Sequence, residues 1–186
     1  PTAMSSYWEA HDGAALLSWS PESFLSVRGR NLCTKPIKGT APRGANAAQD
    51  AQFSCDLDAS IKERAELNMI VDMARNDLGR VADPGKVRLA TAGKVTPFPT
   101  LFHRIAEVRA EWNPARGLGA LMRATFPPAS VTGAPKVRAL QAIAELESTA
   151  RGPYCGVFGY WLPGEPRAEF SVLIRTSTLA KGRLSL

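Results

Sequence analysis

The chain has 186 residues, 45% of them hydrophobic, which is enough for one well-buried core and too apolar for a disordered segment. Its net charge of +6 would suit an anionic partner, but the charges are scattered with no like-sign run long enough for a nucleic-acid arm, so nucleic acid is excluded. No apolar run approaches a membrane span, and Cys33, Cys55 and Cys155 have neither CxxC spacing nor the density of a disulfide scaffold; a reducing cytoplasm fits best.

Residues 14–19 and 24–28 read as strands, the second followed by a turn at Gly29 and a return strand ending near Thr34. This meander delivers Glu22 and Lys38 to the ends of neighbouring strands. Residues 39–46 hold Gly, Pro and Ala without periodicity and read as a loop. From Ser60 to Leu78 the pattern is helical, with Leu67, Ile70, Val71, Ala74 and Leu78 on one stripe. Glu63 falls on the backward extension of that stripe and Glu66 on its edge. Both carboxylates therefore lean toward the buried side, where they must be paired, by Lys62 or Arg64 for instance, or bound to a cation. Residues 87–95 suggest a strand despite Gly93, whereas the spacing in 100–112 tolerates a helix.

A further helix is expected to open over Thr132-Gly133-Ala134-Pro135-Lys136, with a Thr or Gly cap, Pro in the first turn and a stripe of Val137, Leu140, Ile143 and Ala144. The free N–H groups of such a start can hold a carboxylate. Residues 155–162 read as a buried strand in which Gly156 and Gly159 admit a ligand or a neighbouring backbone, and residues 168–179 as another strand. The alternation in residues 183–186 still reads as strand.

Lys38 stands in the run Lys35-Pro36-Ile37-Lys38-Gly39-Thr40-Ala41-Pro42-Arg43-Gly44. Between a Pro and a Gly its ammonium is either a solvated turn charge or, when aimed and partly desolvated, an amine nucleophile near neutral pH. This run resembles the PIKGT-x-PRG signature of aminodeoxychorismate synthase component I, one branch of the chorismate-binding enzymes. Ser20-Pro21-Glu22-Ser23-Phe24-Leu25 is similar to the family's SPE-x-FL strand end. Residues 62–72 (KERAELNMIVD) resemble its K[DE]RAE-xx-MIVD helix, 126–136 (FPPASVTGAPK) its FPAGSVTGAPK, and 151–160 and 170–176 complete the series. One stretch departs: the usual HLVS-x-V reads His103-Arg104-Ile105-Ala106-Glu107-Val108. The sister anthranilate synthase component I usually has Ala at the position of Lys38.

The resemblance implies an α+β fold, antiparallel sheets packed face to face with helices outside, of which residues 1–186 supply a C-terminal chorismate-binding domain shortened at both ends. Pro1 is not an initiator Met, and family members continue past the position of Leu186 with a further acidic metal ligand. The implied reaction is Mg²⁺-dependent replacement of the C4 hydroxyl of chorismate by an amine, giving 4-amino-4-deoxychorismate for 4-aminobenzoate and folate synthesis. Ammonia would come from a separate glutamine amidotransferase partner. By matching position, Lys38 is the covalent nucleophile, Glu22 the general acid or base, and His103 a positioning or acid–base support. Gly39 and Thr40 shape the substrate site, Tyr154 and Arg175 bind substrate carboxylate, and Glu66 ligates Mg²⁺. Anthranilate synthase, isochorismate synthase and an inactive chorismate-binding fragment are the alternatives. The resemblance also makes residues 100–112 an extended segment.

Overall fold

The computed structural model describes residues 4–162 and 164–185; Pro1 and Leu186, on which two expectations fall, lie outside them. The described chain is a mixed α+β structure with two antiparallel sheets. The smaller contains β1 (Met4–Glu9), β2 (Ala15–Ser20), β10 (Thr176–Ala180) and β11 (Arg183–Ser185), in the order β1-β2-β10-β11. The larger contains β3 (Ser23–Arg28), β4 (Asn31–Thr34), β5 (Ile37–Pro42), β6 (Ala82–Pro97), β7 (Leu101–Trp112), β8 (Val157–Leu162) and β9 (Arg167–Val172).

The organiser of the larger sheet is β7. Along one edge it carries β6, and along the other β5 and β4 in succession: Ile37 to Pro42 pair with residues 101–105, and Asn31 to Thr34 with residues 108–111. Side chains alternate strictly, with Phe102, Arg104, Ala106, Val108, Ala110 and Trp112 all buried, so the segment is extended and not helical. The strand expected at 87–95 is longer, because bulges let β6 follow β7 for 16 residues, with Gly93 at φ 96° in one of them.

Two helices cover this sheet. α1 (Ala47–Ala59) begins at Asn46, whose side chain accepts from the Gln49 N–H at 3.0 Å. α2 (Ile61–Gly79) begins at Ser60, which caps the Glu63 N–H at 3.3 Å. The expected stripe points inward: Leu67, Ile70, Val71 and Leu78 are buried, each contributing about 1.5–3 kcal/mol. Leu67, Val71 and Leu78 share one core cluster with Val27, Leu32, Ala106, Val108 and Trp112 from the sheet. Arg104 accounts for the departure from the family motif. Its buried guanidinium donates to the carbonyls of Leu57 (2.9 Å), Asp58 (2.6 Å) and Gly93 (2.9 Å), satisfying the C-terminal carbonyls of α1 and tying them to β6.

Four expectations need correction. Residues 39–46 are not all loop: β5 runs to Pro42, because β7 supplies a pairing edge that composition cannot reveal. Residues 168–179 are not one strand. β9 ends at Val172, and after a crossover with Arg175 at φ 50° the chain continues as β10 in the other sheet. Residues 155–162 are not a buried strand, since β8 is a partly exposed edge strand. A Cβ on Gly159 would, however, lie 2.0 Å from the Glu169 carbonyl, so the close backbone approach expected there is present. Finally, the helix expected from Thr132 begins later. A 3₁₀ turn (Pro114–Arg116) leads into α3 (Gly117–Thr125); α4 (Ala129–Thr132) ends at Thr132, and α5 (Lys136–Leu146) starts behind Pro135 without a side-chain cap.

Candidate active site

Two chain crossings between the sheets build the centre of the site. At the first, β2 gives way to β3 through Pro21 and Glu22; at the second, β9 gives way to β10 through residues 173–175. They are latched together. The Val172 N–H donates to the Glu22 carbonyl at 3.1 Å, and the Trp19 N–H donates to the Arg175 carbonyl at 3.0 Å. Ser20 tightens the first crossing by accepting from the Glu22 N–H at 3.2 Å.

Glu22 is buried, and burial pushes its carboxyl above the ordinary glutamate range. A hydrogen bond from Ser130 and the nearby Lys38 ammonium pull it back only in part. Lys38 thus faces Glu22 from β5, half-buried, in the register shift between Ile37 and Thr40. The next residue explains the glycine. Gly39 has φ 87°, and a Cβ there would sit 3.0 Å from Leu57 Cδ1 and 3.1 Å from Glu63 Cβ, because the helices pass directly over the strand.

Thr40 is the cross-strand partner of His103, and its hydroxyl lies 3.0 Å from His103 Nδ1. The ring also hydrogen-bonds to the Gly39 backbone and meets Phe98 edge-to-face at 5.5 Å. Burial, with the Arg175 guanidinium nearby, holds the imidazole below its usual range despite the Gly39 bond, which favours its neutral form. Arg175 is exposed on the second crossing, free to reach a ligand.

The structure therefore brings Glu22, Lys38, Gly39, Thr40, His103 and Arg175 to one region. Tyr154 adjoins it: the following Cys155 N–H donates to the Leu173 carbonyl at 2.9 Å, two residues before Arg175. The Tyr154 ring is exposed, with the Arg151 guanidinium 5.8 Å from its centroid. Glu66 lies one turn beyond Glu63 on α2, half-exposed, with Lys62 at 3.8 Å. Among the described residues no three His, Cys, Asp or Glu side chains cluster as a metal cage. Mg²⁺ keeps several waters and takes one or two protein carboxylates, and Glu66, half-exposed with only a 3.8 Å lysine partner, is a carboxylate open to such a contact. At the start of α5 no side chain caps the first N–H groups. Its first residue, Lys136, bonds Asp77 at 2.6 Å and the Thr125 carbonyl at 3.0 Å. Ser130, which lines one cavity with Glu22, is not among the site residues expected from the sequence; it lies inside the FPPASVTGAPK motif, whose residues 132–136 point to a helix start.

A family model described as "chorismate binding enzyme" matches residues 1–186. The chain belongs to the chorismate-binding enzymes. Among curated members of that family it is 46% identical over 173 residues to aminodeoxychorismate synthase component 1 of Klebsiella aerogenes, covering 93% of this chain and 38% of the relative. It is 42% identical to the protein of that name from Escherichia coli K12, over 91% of this chain and 37% of the relative. Anthranilate synthases match as well; component 1 from Streptomyces coelicolor is 38% identical over 92% of this chain and 34% of the relative. The chain spans about two fifths of the length of the aminodeoxychorismate synthase components it matches. The fold superposes on anthranilate synthase component I of Streptococcus pneumoniae with a TM-score of 0.87 at 32% identity, covering 99% of this chain and 40% of that one. Among the described residues no helix is long and apolar enough to cross a membrane.

Proposed function

We propose that this chain is the C-terminal chorismate-binding domain, residues 1–186, of an aminodeoxychorismate synthase component 1, and that it aminates chorismate to 4-amino-4-deoxychorismate. The observation that carries this reading is a buried Glu22 that feels the charge of Lys38 on β5, in a region that also holds His103 with Arg175 nearby. Similarity to aminodeoxychorismate synthase components supports it, and so does Lys38 itself, where anthranilate synthases usually carry Ala.

In this mechanism the Lys38 ammonium first gives a proton to the Glu22 carboxylate, and the resulting amine adds to ring carbon C2 while the double bonds shift and the C4 hydroxyl departs. The Glu22 proton goes to that hydroxyl, which leaves as water. Ammonia then adds at C4, the double bonds shift back, and the bond from C2 to Lys38 breaks with its electron pair returning to the lysine nitrogen. The new C4 ammonium gives a proton to the Glu22 carboxylate, so the cycle closes without net proton change. Arg175 and Tyr154 bind a substrate carboxylate, the guanidinium as a planar fork and the phenol as a single donor. Neutral His103, held by Gly39 and Thr40, positions the ring and supports proton transfer. Glu66 would hold Mg²⁺, which when bound neutralises the ring-borne carboxylate and polarises it. Ammonia is supplied by a glutamine amidotransferase partner in the cytoplasm.

Anthranilate formation is the competing reading, favoured by the close superposition on an anthranilate synthase. Product analysis with chorismate, Mg²⁺ and an ammonium salt separates the two. Aminodeoxychorismate is expected, and anthranilate in its place would overturn the assignment. In Lys38→Ala, amination is lost while calorimetry still detects chorismate binding.

A further inference from the structure

A cavity of about 40 Å³ lies behind Glu22. Glu22, Ser130, Asp77 and Thr125 line it together with Ser23 and Thr34, among apolar residues of α2 and the sheet. Ser130 reaches this wall from α4, a single turn in which the Thr132 hydroxyl donates to the Pro128 carbonyl at 3.0 Å and the Gly133 N–H donates to the Ala129 carbonyl at 3.0 Å. So short a turn has little stability of its own. What anchors it is the Lys136 ammonium, which bonds the Thr125 carbonyl at the end of α3 and the Asp77 carboxylate on α2, closing residues 125–136 into a loop fixed at both ends. Lys136 and Asp77 are only 12% and 8% exposed at their side chains. The mechanism above uses neither of them.

We propose that Ser130 is a positioning residue for the proton carried by Glu22, its hydroxyl delivered by α4 and held in register by the Asp77–Lys136 ion pair. A neutral carboxylic acid can carry its proton on either oxygen. Donation by Ser130 to one oxygen makes that oxygen the acceptor and leaves the acid proton on the other. Burial favours the neutral acid, and the Lys38 ammonium facing it from β5 favours the anion, so a fixed hydrogen bond decides geometry where charge alone would not. Asp77 is faced in turn by Lys136 from α5 and by Arg80 just past the end of its own helix, which favour its anion against the push of burial.

The test, which rests on the Glu22 role given above, follows the Glu22 carboxyl by ¹³C NMR across pH. The signal is assigned with Glu22→Gln, and amination at saturating chorismate and ammonium is measured over the same range. Removing the Ser130 donor in Ser130→Ala takes away a bond that favours the anion. The Glu22 midpoint is then expected to move up, the matching limb of the pH–kcat profile to move with it, and kcat to fall roughly tenfold with little change in KM. Ser130→Thr, which restores a hydroxyl, is expected to rescue all three. Lys136→Met, which removes the anchor without touching Glu22, is expected to shift the midpoint in the same direction. An unmoved Glu22 midpoint in Ser130→Ala would overturn the proposal. A midpoint that moves while the pH–kcat limb stays in place would instead overturn the acid role of Glu22 on which it rests.

Discussion

The ion pair between Asp77 and Lys136 offers a sharp stability test. The Lys136 Nζ lies 2.6 Å from Asp77 Oδ2, and both side chains are almost fully removed from water. Removing one partner of such a pair leaves an uncompensated buried charge and costs about 3–5 kcal/mol. For a chain of this length that corresponds to a Tm lowered by roughly 6–20 °C. The two single variants should differ with pH. In Lys136→Met the stranded Asp77 carboxyl, which burial already pushes above the usual aspartate range, can neutralise itself by taking up a proton. Its folded-state value then exceeds its unfolded one, so stability is retained in acid and lost as pH rises through the folded value. In Asp77→Asn the stranded group is an ammonium with the Thr125 carbonyl as its acceptor, and acidification brings no recovery. The double variant Asp77→Leu/Lys136→Met replaces the pair by apolar groups of similar size and should regain most of the loss. Urea and thermal denaturation between pH 4 and pH 8 measure all three. Single variants within about 1 kcal/mol of the parent, or a double variant whose loss equals the sum of the singles, would refute the reasoning.

Other consequences are directly measurable. Because burial raises the Glu22 carboxyl, the folded protein holds that proton more tightly than the unfolded chain, and stability should fall as pH rises from the ordinary glutamate range through the raised folded value. Glu22→Gln should remove that slope while abolishing amination; an unchanged slope in denaturation curves would contradict the burial argument. Gly39→Ala combines a φ of 87° with contacts of 3.0 and 3.1 Å to Leu57 and Glu63, and should cost about 2–4 kcal/mol. Parental stability in that variant would mean that α2 does not press on β5. Glu66→Gln should weaken the Mg²⁺ dependence of turnover, and an identical Mg²⁺ titration would remove Glu66 from the metal site.

Much of the architecture was legible because particular residues obey strong local rules. The stripe from Leu67 to Leu78, in a pattern expected over Ser60 to Leu78, sets α2 to within one residue at each end, since a helix period is written locally. Glu22 and Lys38 were expected at neighbouring strand ends; Glu22 lies just before β3 and Lys38 near the start of β5, close enough for the lysine charge to act on the carboxyl. What stayed hidden depends on partners distant in sequence. β5 is a strand only because β7 offers it an edge, and residues 168–179 divide at Arg175 only because two different sheets compete for the flanking segments. Ser130 was invisible as a site residue for the same reason. Nothing within its own turn announces a glutamate more than 100 residues earlier, and only the Lys136 anchor brings the two together.

The latch between the two crossings has a mechanical result. Glu22 and Arg175 each have their backbone carbonyl bonded to an N–H near the other crossing, at 3.1 and 3.0 Å, so the two crossings hold each other as well as their own strands. Glu22 leads directly into β3 and is bonded to the last residue of β9, so it belongs to the larger sheet, the sheet that also carries Lys38 on β5. A shift of the smaller sheet would leave the spacing of Glu22 and Lys38 unchanged and be felt first at Arg175.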